Sequence, residues 1–429
     1  MKAKPIAGAG AVLLCLGVGI WGRTSQAAPA AEGPKWSASE VDLFKTLALD
    51  GSPPPSPSNR FAENEAAANL GQSFFFDTGF SADGSQGCVS CHKPALYFTD
   101  GQPLAVGLGK LTRHTPSIMG SQWNSFQFWD GRKDTLWSQA LAPFEGELEL
   151  GVSRMHVVRR VATEYADEYA SVFDELPSFD VSERWPAQAM PVPKDPQHPW
   201  ALAWEAMDPA DRELVNRVFA NVGKSIEAYE RMLTPQSAPF DRYVAAVEAG
   251  DMSGAGHLSP TAERGLRQFI GPAGCIHCHN GPMFSDQSFH AIGLESVFHS
   301  TEIDLGRAAA IDELLADPFN SNGKYSDSEP VDELVYLNPE VGDTRGAFRT
   351  PTLRNVQATA PYGHNGQFRD LNEVIEWYRE LPRVPLAGHR DKILKVLPDD
   401  VITADLIAFL ESLTGQLPAA RWLAAPEQN

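Results

Sequence analysis

A Cys-x-x-Cys-His pattern that occurs twice sets the strongest constraint on how this 429-residue chain can fold. In such a pattern each thiol adds to a vinyl group of a haem, and the adjacent imidazole turns onto the iron. The residues concerned are Cys88, Cys91 and His92 in the first copy and Cys275, Cys278 and His279 in the second. We therefore predict two covalently bound haem c groups, with His92 and His279 as iron ligands.

A zinc site built from two Cys-x-x-Cys pairs is the alternative interpretation of these cysteines. The histidine after each pair and the long stretch of chain between the pairs both argue against one tetrahedral site. The fifth cysteine, Cys15, lies in the N-terminal segment, so an exported protein would keep no cysteine for a structural disulfide. This distribution is natural for covalent haem and odd for a disulfide scaffold.

The N-terminal segment has the pattern of an export signal. A basic start (Lys2 and Lys4) precedes an apolar run over residues 6–21, and small residues follow at the positions that a signal peptidase reads. A membrane anchor is the alternative, which the glycines of the run and its cleavage-like end disfavour. We expect residues 1–27 to be a signal peptide and the protein to be periplasmic.

The charge of the chain excludes one class of partner. The formal net charge at pH 7 is −20, and removing residues 1–27 takes away three basic residues and no acidic one, which leaves −23. The propionates of two haems would make the charge more negative still. Nucleic acid is therefore excluded as a partner, whereas a basic protein partner is compatible with such a surface.

The sequence around the two motifs repeats. Residues 68–75 read Ala-x-x-Gly-x-x-x-Phe ahead of the first motif, and residues 262–269 repeat that pattern ahead of the second. Strand signals are few, and two halves with one pattern indicate a duplication. We predict a mainly α protein with two cytochrome c-like haem domains and long loops, the N-terminal domain over residues 36–235 and the C-terminal domain over residues 236–423.

Helix candidates and two insertions complete the organisation of the chain. The candidates ahead of the second motif lie at residues 39–47, 66–75, 134–141, 154–173 and 211–233. Prolines punctuate an insertion near residues 177–206, which we interpret as an exposed loop. A second loop-rich insertion is expected between residues 300 and 345.

A further helix is predicted after the second motif. Asp370 and Glu373 form a capping-box start, and an apolar face runs from Leu371 to Tyr378. Such a face is most often core, and the residues alone leave open whether it also carries a haem ligand. Methionine is excluded as a ligand from this part of the chain, because no methionine follows Met283.

These motifs resemble the bacterial dihaem cytochrome c peroxidases and their relative MauG, an enzyme that oxidises tryptophans in a partner protein. The resemblance covers most of the chain that follows the signal. Its markers are the two haem motifs together with residues 70–77, 128–132, 348–355 and 359–366. It implies that hydrogen peroxide reacts at the N-terminal haem and that oxidising equivalents pass to the C-terminal haem.

The resemblance places functional residues around the N-terminal haem. Gln139, Pro143 and Glu149 match the family's peroxide pocket at the same spacing. Glu149 would then move a proton as a general acid/base, and Gln139 would hold the bound oxygen. Trp129 matches the tryptophan that relays electrons between the haems, and packing beside Gly131 is its plain structural role.

The resemblance also implies how the two irons differ. Tyr378 falls where the family places the distal ligand of the C-terminal haem; peroxidases that draw electrons from small donors have Met there, and MauG has Tyr. A phenolate stabilises oxidised iron and lowers its potential. Many relatives block the N-terminal haem with a His, but residues 93–113 contain none. We predict an open, five-coordinate N-terminal haem, with His114 as the competing ligand.

A calcium ion between the domains is a further implication. Thr359 and Pro361 match the residues whose carbonyls hold this ion in the family. The third contact in the family is an Asn side chain, and this chain has His114 there. Because calcium prefers oxygen ligands, the substitution counts against the ion.

The resemblance therefore predicts an enzyme, a periplasmic dihaem c-type peroxidase. Its partners would be hydrogen peroxide and a redox protein, which could be a cytochrome, a cupredoxin or, as for MauG, a protein whose residues are oxidised. Relatives are often dimers, so a homodimer is also expected. The alternative is a non-catalytic dihaem electron-transfer cytochrome, with two six-coordinate, low-spin haems and no reaction with peroxide.

Overall fold

Helices make up most of the regular structure in the computed structural model, which describes residues 36–49, 51, 53–294, 303–330, 332–340, 342–381, 385 and 387–426. The α-helices among these residues are α1 (Ala38–Lys45), α2 (Glu65–Phe76), α3 (Cys88–Cys91), α4 (Leu136–Glu145), α5 (Arg154–Glu164), α6 (Ala166–Val172), α7 (Pro199–Ala206), α8 (Pro209–Glu230), α9 (Pro239–Glu248), α10 (Pro260–Ile270), α11 (Arg307–Ala316), α12 (Leu371–Glu380) and α13 (Thr403–Glu411). Two short strands, β1 (Phe289–His290) and β2 (Phe348–Arg349), pair antiparallel. The prediction of a mainly α protein is confirmed.

Short 3-10 helices lie between many of these elements. They are Thr78–Phe80, Pro94–Leu96, Ser121–Trp123, Gly254–Gly256, Cys275–His277, Asp332–Tyr336, Gly342–Thr344, Val356–Ala358 and Ala420–Trp422. The first haem motif thus begins on one α-helical turn and the second on a 3-10 turn. The second insertion, predicted as loop-rich, contains α11 as well as loops.

The predicted signal peptide, residues 1–27, lies outside the described residues, and so does the apolar run for which a membrane anchor was the alternative. Within the described part of the chain, none of the helices combines the length and the apolar character that crossing a bilayer requires.

Polar side chains fix where the helices begin. Asn64 accepts a hydrogen bond from the Ala67 amide at the start of α2. Asp370 accepts one from the Glu373 amide at 3.0 Å at the start of α12, as predicted. The Glu373 carboxylate, however, accepts from the Arg369 amide at 2.7 Å and not from Asp370. Each of these bonds satisfies an amide that has no partner inside the helix.

The segment predicted as one helix over residues 154–173 forms two, α5 and α6, with a break at Tyr165. The Tyr165 hydroxyl donates to Asp77 at 2.9 Å, and its ring packs edge-on against Phe74 with centroids 5.1 Å apart. These tertiary contacts with the end of α2 outweigh the helical periodicity of the segment.

The insertion near residues 177–206 is largely an exposed loop up to His198, as its prolines predicted, but two of its aromatic side chains are buried. Phe179 and Trp185 are buried in the core around α4, α5 and α8, and α7 ends the segment. Arg159 of α5 donates to several backbone carbonyls of the insertion, among them Phe179 O at 2.9 Å. The prolines of the insertion have no N–H to donate to its carbonyls, so a side chain such as that of Arg159 supplies the hydrogen bonds. The large aromatic side chains contribute the apolar area that the insertion buries.

The repeated Ala-x-x-Gly-x-x-x-Phe pattern corresponds to a repeated helix crossing. A Cβ atom on Gly71 of α2 would lie 1.9 Å from the Ser225 carbonyl oxygen of α8. A Cβ atom on Gly265 of α10 would lie 1.9 Å from the Asp405 carbonyl oxygen of α13. Each glycine therefore lets the helix before a haem motif touch the backbone of a second helix, and the two crossings are equivalent.

Buried side chains form a first core around α2, α4, α5 and α8 and a second core around α9, α10, α12 and α13. The first and the last described segments each pack against the other half of the chain. Trp36 and Phe44 precede the first haem motif but belong to the second core, whereas Trp422 packs with Tyr229 of α8. The residues from Trp36 onward form one compact unit, and the boundary between two haem domains stays a prediction.

Candidate functional site

Two neighbouring cavities each contain one Cys-x-x-Cys-His motif. The first cavity, of about 380 Å³, is lined by the motif at residues 88–92. The second cavity, of about 670 Å³, is lined by the motif at residues 275–279. None of these four cysteines forms a disulfide. Since the two cysteine pairs line different cavities, a single zinc site that uses both pairs does not form.

The histidine of each motif is held in one orientation by a backbone carbonyl. His92 Nδ1 lies 3.0 Å from Phe98 O, and His279 Nδ1 lies 2.9 Å from Phe284 O. A carbonyl only accepts, so Nδ1 carries the proton and Nε2 is left free to bind a metal. Burial lowers the pKa of both imidazoles, which favours this neutral form.

A hydroxyl group supports the backbone just before each of these carbonyls. Ser117 Oγ donates to Tyr97 O at 2.6 Å, and Thr352 Oγ1 donates to Met283 O at 2.6 Å. Ser117 and Thr352 were not among the functional residues predicted from the sequence. The available signal was the tripeptide Thr-Pro-Ser, which recurs as Thr-Pro-Thr and ends at each hydroxyl in turn.

The residues predicted for peroxide binding come together in the first cavity. Gln139 and Pro143 lie one turn apart on α4, and Glu149 follows in the turn after that helix; all three line the first cavity. The Glu149 amide donates to Gly146 O at 3.0 Å. A Cβ atom on Gly146 would lie 2.3 Å from Glu149 Oε2, so the missing side chain leaves room for the carboxyl group.

The surroundings of Glu149 favour its protonated form. Burial raises the pKa of Glu149, and the Arg132 guanidinium offsets only part of that rise. Arg132 itself pairs with Asp130 at 2.9 Å and lies 3.6 Å above the ring of Phe128. A carboxyl group in this position can hold and release a proton at higher pH than an exposed one.

Trp129 lies in the wall that the two cavities share. The residues that line both cavities are His114, Pro116, Ser117, Ser121, Asn124, Trp129 and Arg349. Trp129 Nε1 donates to His114 O at 2.8 Å, and Trp129 O accepts from the Arg349 amide at 2.8 Å. The indole is therefore fixed between the sites, which is compatible with both its packing role and a relay role.

Tyr378 lines the second cavity together with His279. Its neighbours on the same face of α12, Leu371 and Ile375, belong to the second core. This face of the helix therefore both packs in the core and lines the cavity. Burial raises the pKa of the Tyr378 hydroxyl, and the nearby thiols of the motif add to that rise. A bound cation would favour the opposite, ionised form.

The residues predicted to hold calcium line the second cavity, and His114 occupies the third position. Thr359 and Pro361 offer backbone carbonyls there. His114 is buried, and its Nδ1 lies 2.8 Å from Gln102 O, so this nitrogen is a donor and not a calcium ligand. Calcium is thus implied by the resemblance alone, and the donor nitrogen of His114 counts against it.

Among the described residues, the side chains grouped tightly enough to hold a metal are Cys278, Asp286 and His290. One of the three belongs to the second haem motif. Cys278 and His290 line the second cavity, so the group lies at that cavity.

Comparison with known proteins identifies relatives across most of the chain. Residues 65–249 match the family model described as di-haem cytochrome c peroxidase. Cytochrome-c peroxidase IdrP1 of Pseudomonas sp. (strain SCT) is 31% identical over 390 residues, 89% of each chain. Methylamine utilization protein MauG of Methylorubrum extorquens is 31% identical over 354 residues, 82% of this chain and 78% of that protein.

A solved structure agrees with these relatives. The crystal structure of a MauG-like protein associated with microbial copper homeostasis matches with a TM-score of 0.59 and 25% identity, over 89% of this chain and 100% of that chain. Sequence and fold thus point to the same relatives. The chain belongs to the di-haem cytochrome c peroxidase family, in which MauG is also found.

Proposed function

We propose that the protein is a dihaem c-type peroxidase that reduces hydrogen peroxide in its first cavity and receives the electrons by way of its second. The observation that carries the proposal is that Gln139 and Glu149 line the same cavity as the motif of His92. The relatives reported above include proteins named cytochrome-c peroxidase. A family of di-haem cytochromes implies two c-type haems, one for each motif.

The donor set of each cavity fits a covalently bound haem. The two thiols and the imidazole of one motif line each cavity, which is the set of groups that attaches the two vinyl groups of a haem c and binds its iron. In the proposal, His92 and His279 bind iron through Nε2, and Tyr378 binds the iron of the second cavity. The haems supply the redox-active iron, and with it the two electrons that peroxide reduction consumes.

The protein's part in the reaction is to move protons and to hold the substrate. Reduction of hydrogen peroxide to two waters takes up two electrons and two protons. Glu149 accepts a proton from one peroxide oxygen and returns it to the other, which then leaves as water. The Gln139 amide would donate a hydrogen bond to the peroxide oxygen from which Glu149 takes the proton. Pro143, one turn away, presents an apolar ring that limits water in the cavity.

Tyr378 and Trp129 bear on how electrons reach the protein. A phenolate at Tyr378 would lower the potential of the second iron, and MauG shares a Tyr at the matching position. Trp129, fixed between the cavities, is suited to relay electrons. We propose a redox protein as the partner: a cytochrome, a cupredoxin or a protein whose residues are oxidised. Reduced cytochromes and cupredoxins, tested as donors under peroxide, separate the first two from the third.

The proposed location is the periplasm, because residues 1–27 have the pattern of an export signal and covalent haem attachment occurs on exported chains. A homodimer stays a prediction, and light scattering on the purified holoprotein measures it directly.

Replacing Glu149 tests the proposal. Glu149→Gln should lower kcat/KM for peroxide by about 10²- to 10⁴-fold, the usual contribution of general acid–base catalysis. Glu147→Gln, an exposed neighbour in the same turn, should change it little. Electron spin resonance of the diferric protein should show one high-spin haem. Two low-spin haems and no reaction with peroxide would instead identify the electron-transfer cytochrome.

The pH profile supplies a second readout of the same residue. Glu149 must be unprotonated to accept the first proton, and its pKa is raised by burial. The acid limb of kcat/KM should therefore lie above the pH expected from an ordinary glutamate, about 4.3. Because Arg132 lowers this pKa, Arg132→Met should move the limb to higher pH. A limb that persists in Glu149→Gln would assign it to another group.

A further inference from the structure

Arg349 is a buried guanidinium without a carboxylate partner in the described part of the chain. Its side chain is 7% exposed. Nη1 donates to Asn124 Oδ1 at 3.0 Å and to Thr350 O at 3.3 Å, and Nε has no hydrogen-bond partner. Burying a charge without an opposite charge is costly. Such a side chain is stable where an anion completes its surroundings.

Other buried arginines of the protein have their partners within the chain. Arg354 pairs with Asp241 at 2.7 Å, and Arg307 lies between two phenyl rings and donates to the Gly131 carbonyl. Burial alone lowers the pKa of Arg349 to about 10, and no acidic group offsets it. Arg349 therefore differs from Arg354 in lacking a carboxylate partner among the described residues. It differs from Arg307 in that the nearby Asp130 and Asp134 offset part of the effect of burial on the pKa of Arg307.

A second buried nitrogen without a hydrogen-bond partner in the described part of the chain belongs to His364. His364 is 3% exposed, and its Nε2 has no hydrogen-bond partner among the described residues. Its ring stacks on that of Phe348 with centroids 3.8 Å apart, and it lies 6.5 Å from the ring of Trp129. His364 lines the second cavity, whereas Arg349 lines both. Both residues line the second cavity together with Trp129, and each has a buried nitrogen without a hydrogen-bond partner among the described residues.

We propose that Arg349 binds propionate groups of both haems at the wall between the cavities, and that His364 adds a contact on the side of the second haem. The proposal rests on the proposed function, since it takes one haem in each cavity. Propionates are the anionic groups of a haem, and a guanidinium binds carboxylates through a planar, bidentate contact.

A cation shared by the two haems couples their redox properties. Positive charge near a haem favours the reduced iron, which carries less positive charge. Removal of the Arg349 guanidinium therefore lowers both potentials, whereas loss of the His364 donor affects the second haem alone. The backbone bond from Arg349 to Trp129 also ties this anion site to the indole between the cavities.

Potentiometric titration of the holoprotein tests the proposal with Arg349→Met, Arg349→Lys and Arg307→Met. Haem content, measured as the pyridine haemochrome, should remain two per chain because attachment is covalent. Arg349→Met should lower both potentials by at least 59 mV, a tenfold change in a one-electron equilibrium. Arg349→Lys should restore most of the loss. Arg307→Met, which removes an equally buried cation outside the cavities, should shift them less.

Resonance Raman bands of the propionates should shift in Arg349→Met and not in Arg307→Met. His364→Phe keeps the stacked ring and should fold; it should lower only the second potential, which keeps the proposal testable if Arg349→Met misfolds. Unchanged potentials with two haems bound, or equal shifts in Arg349→Met and Arg307→Met, would overturn the proposal. Neither result touches the proposed function, which fails separately if the wild-type protein does not react with peroxide.

Discussion

At the scale of single residues, Phe98 and Phe284 adopt a left-handed backbone conformation, with φ of 60° and 51°. For a residue with a side chain this conformation costs about 1–3 kcal/mol. In both places the carbonyl of the same residue meets Nδ1 of a haem-motif histidine. The strained backbone thus positions the carbonyl that accepts from Nδ1 and leaves Nε2 of each histidine free for iron.

Gly146→Ala is expected to slow peroxide turnover without unfolding the protein. The new methyl group would meet Glu149 Oε2, and the flexible carboxylate would move away. A displacement of about 1 Å can cost up to about 100-fold in rate. Steady-state kinetics measure kcat/KM, with the melting temperature as the check on folding.

Gly342→Ala is the matched control for this change, since a Cβ atom there meets nothing within 4 Å. Equal rates for the wild-type protein and Gly146→Ala would show that the position of Glu149 does not limit catalysis.

Tyr378→Met should raise the potential of the second haem, because a thioether stabilises oxidised iron less than a phenolate does. Tyr378→Phe should leave that iron without its oxygen ligand and convert it to high spin. Tyr362→Phe is the control: this tyrosine also lines the second cavity, but its hydroxyl donates to Val356 O at 2.9 Å. Potentiometry and spin resonance measure these effects, and an unaltered second haem in both Tyr378 variants would remove Tyr378 as a ligand.

At the scale of elements, the sequence predicted helices well where cap and periodicity agree. The helix predicted over residues 66–75 is α2, and the one predicted over 211–233 is α8, each within three residues at its ends. The break at Tyr165 and the burial of Trp185 could not be predicted in the same way. Both depend on contacts with residues far away in the chain, such as Asp77, which local patterns do not encode.

Gly71→Ala and Gly265→Ala should each destabilise the protein. Alanine is the better helix former by about 1 kcal/mol, but its methyl group would overlap a backbone carbonyl at 1.9 Å. Overpacking of this kind costs typically about 1–3 kcal/mol, and rigid backbone leaves little room to relax. Denaturant unfolding of the holoprotein measures the loss.

Asn69→Ala, at an exposed position of the same helix as Gly71, should be neutral or slightly stabilising. If Gly71→Ala were as stable as Asn69→Ala, the close helix crossing would not be needed for stability.

At the scale of the whole molecule, the sequence predicted several residues that line each cavity, but it did not predict the part that Arg349 plays in the wall between the cavities. Gln139 and Glu149 meet the first motif, and Tyr378 meets the second, because family spacing carries that information. Arg349 was missed: its sequence position lies within a recognised marker, but its isolation from carboxylates appears only when distant segments around Asn124 and Thr350 are brought together.

Calcium removal should leave the haem spectra unchanged. His114 offers a donor nitrogen to Gln102 O where an oxygen ligand would be needed. Treatment with a calcium chelator should therefore alter neither spin states nor potentials, and metal analysis should find no stoichiometric calcium. His114→Asn should make the spectra calcium-dependent. One calcium per chain in the wild-type protein, with spectral change on chelation, would contradict this expectation.

The packing of the first and the last described segments sets an order of events during biogenesis. Trp36 donates from its indole to the Tyr243 hydroxyl, and Tyr229 donates to Trp422 O, so each segment is anchored to the half that it does not belong to in sequence. The N-terminal half therefore lacks a packing partner until the segment around Trp422 has been made, and the C-terminal half needs the segment around Trp36. Fragments from a split or truncated gene would expose the apolar surfaces that these segments cover. The two halves suggested by the duplication are therefore expected to fold only together.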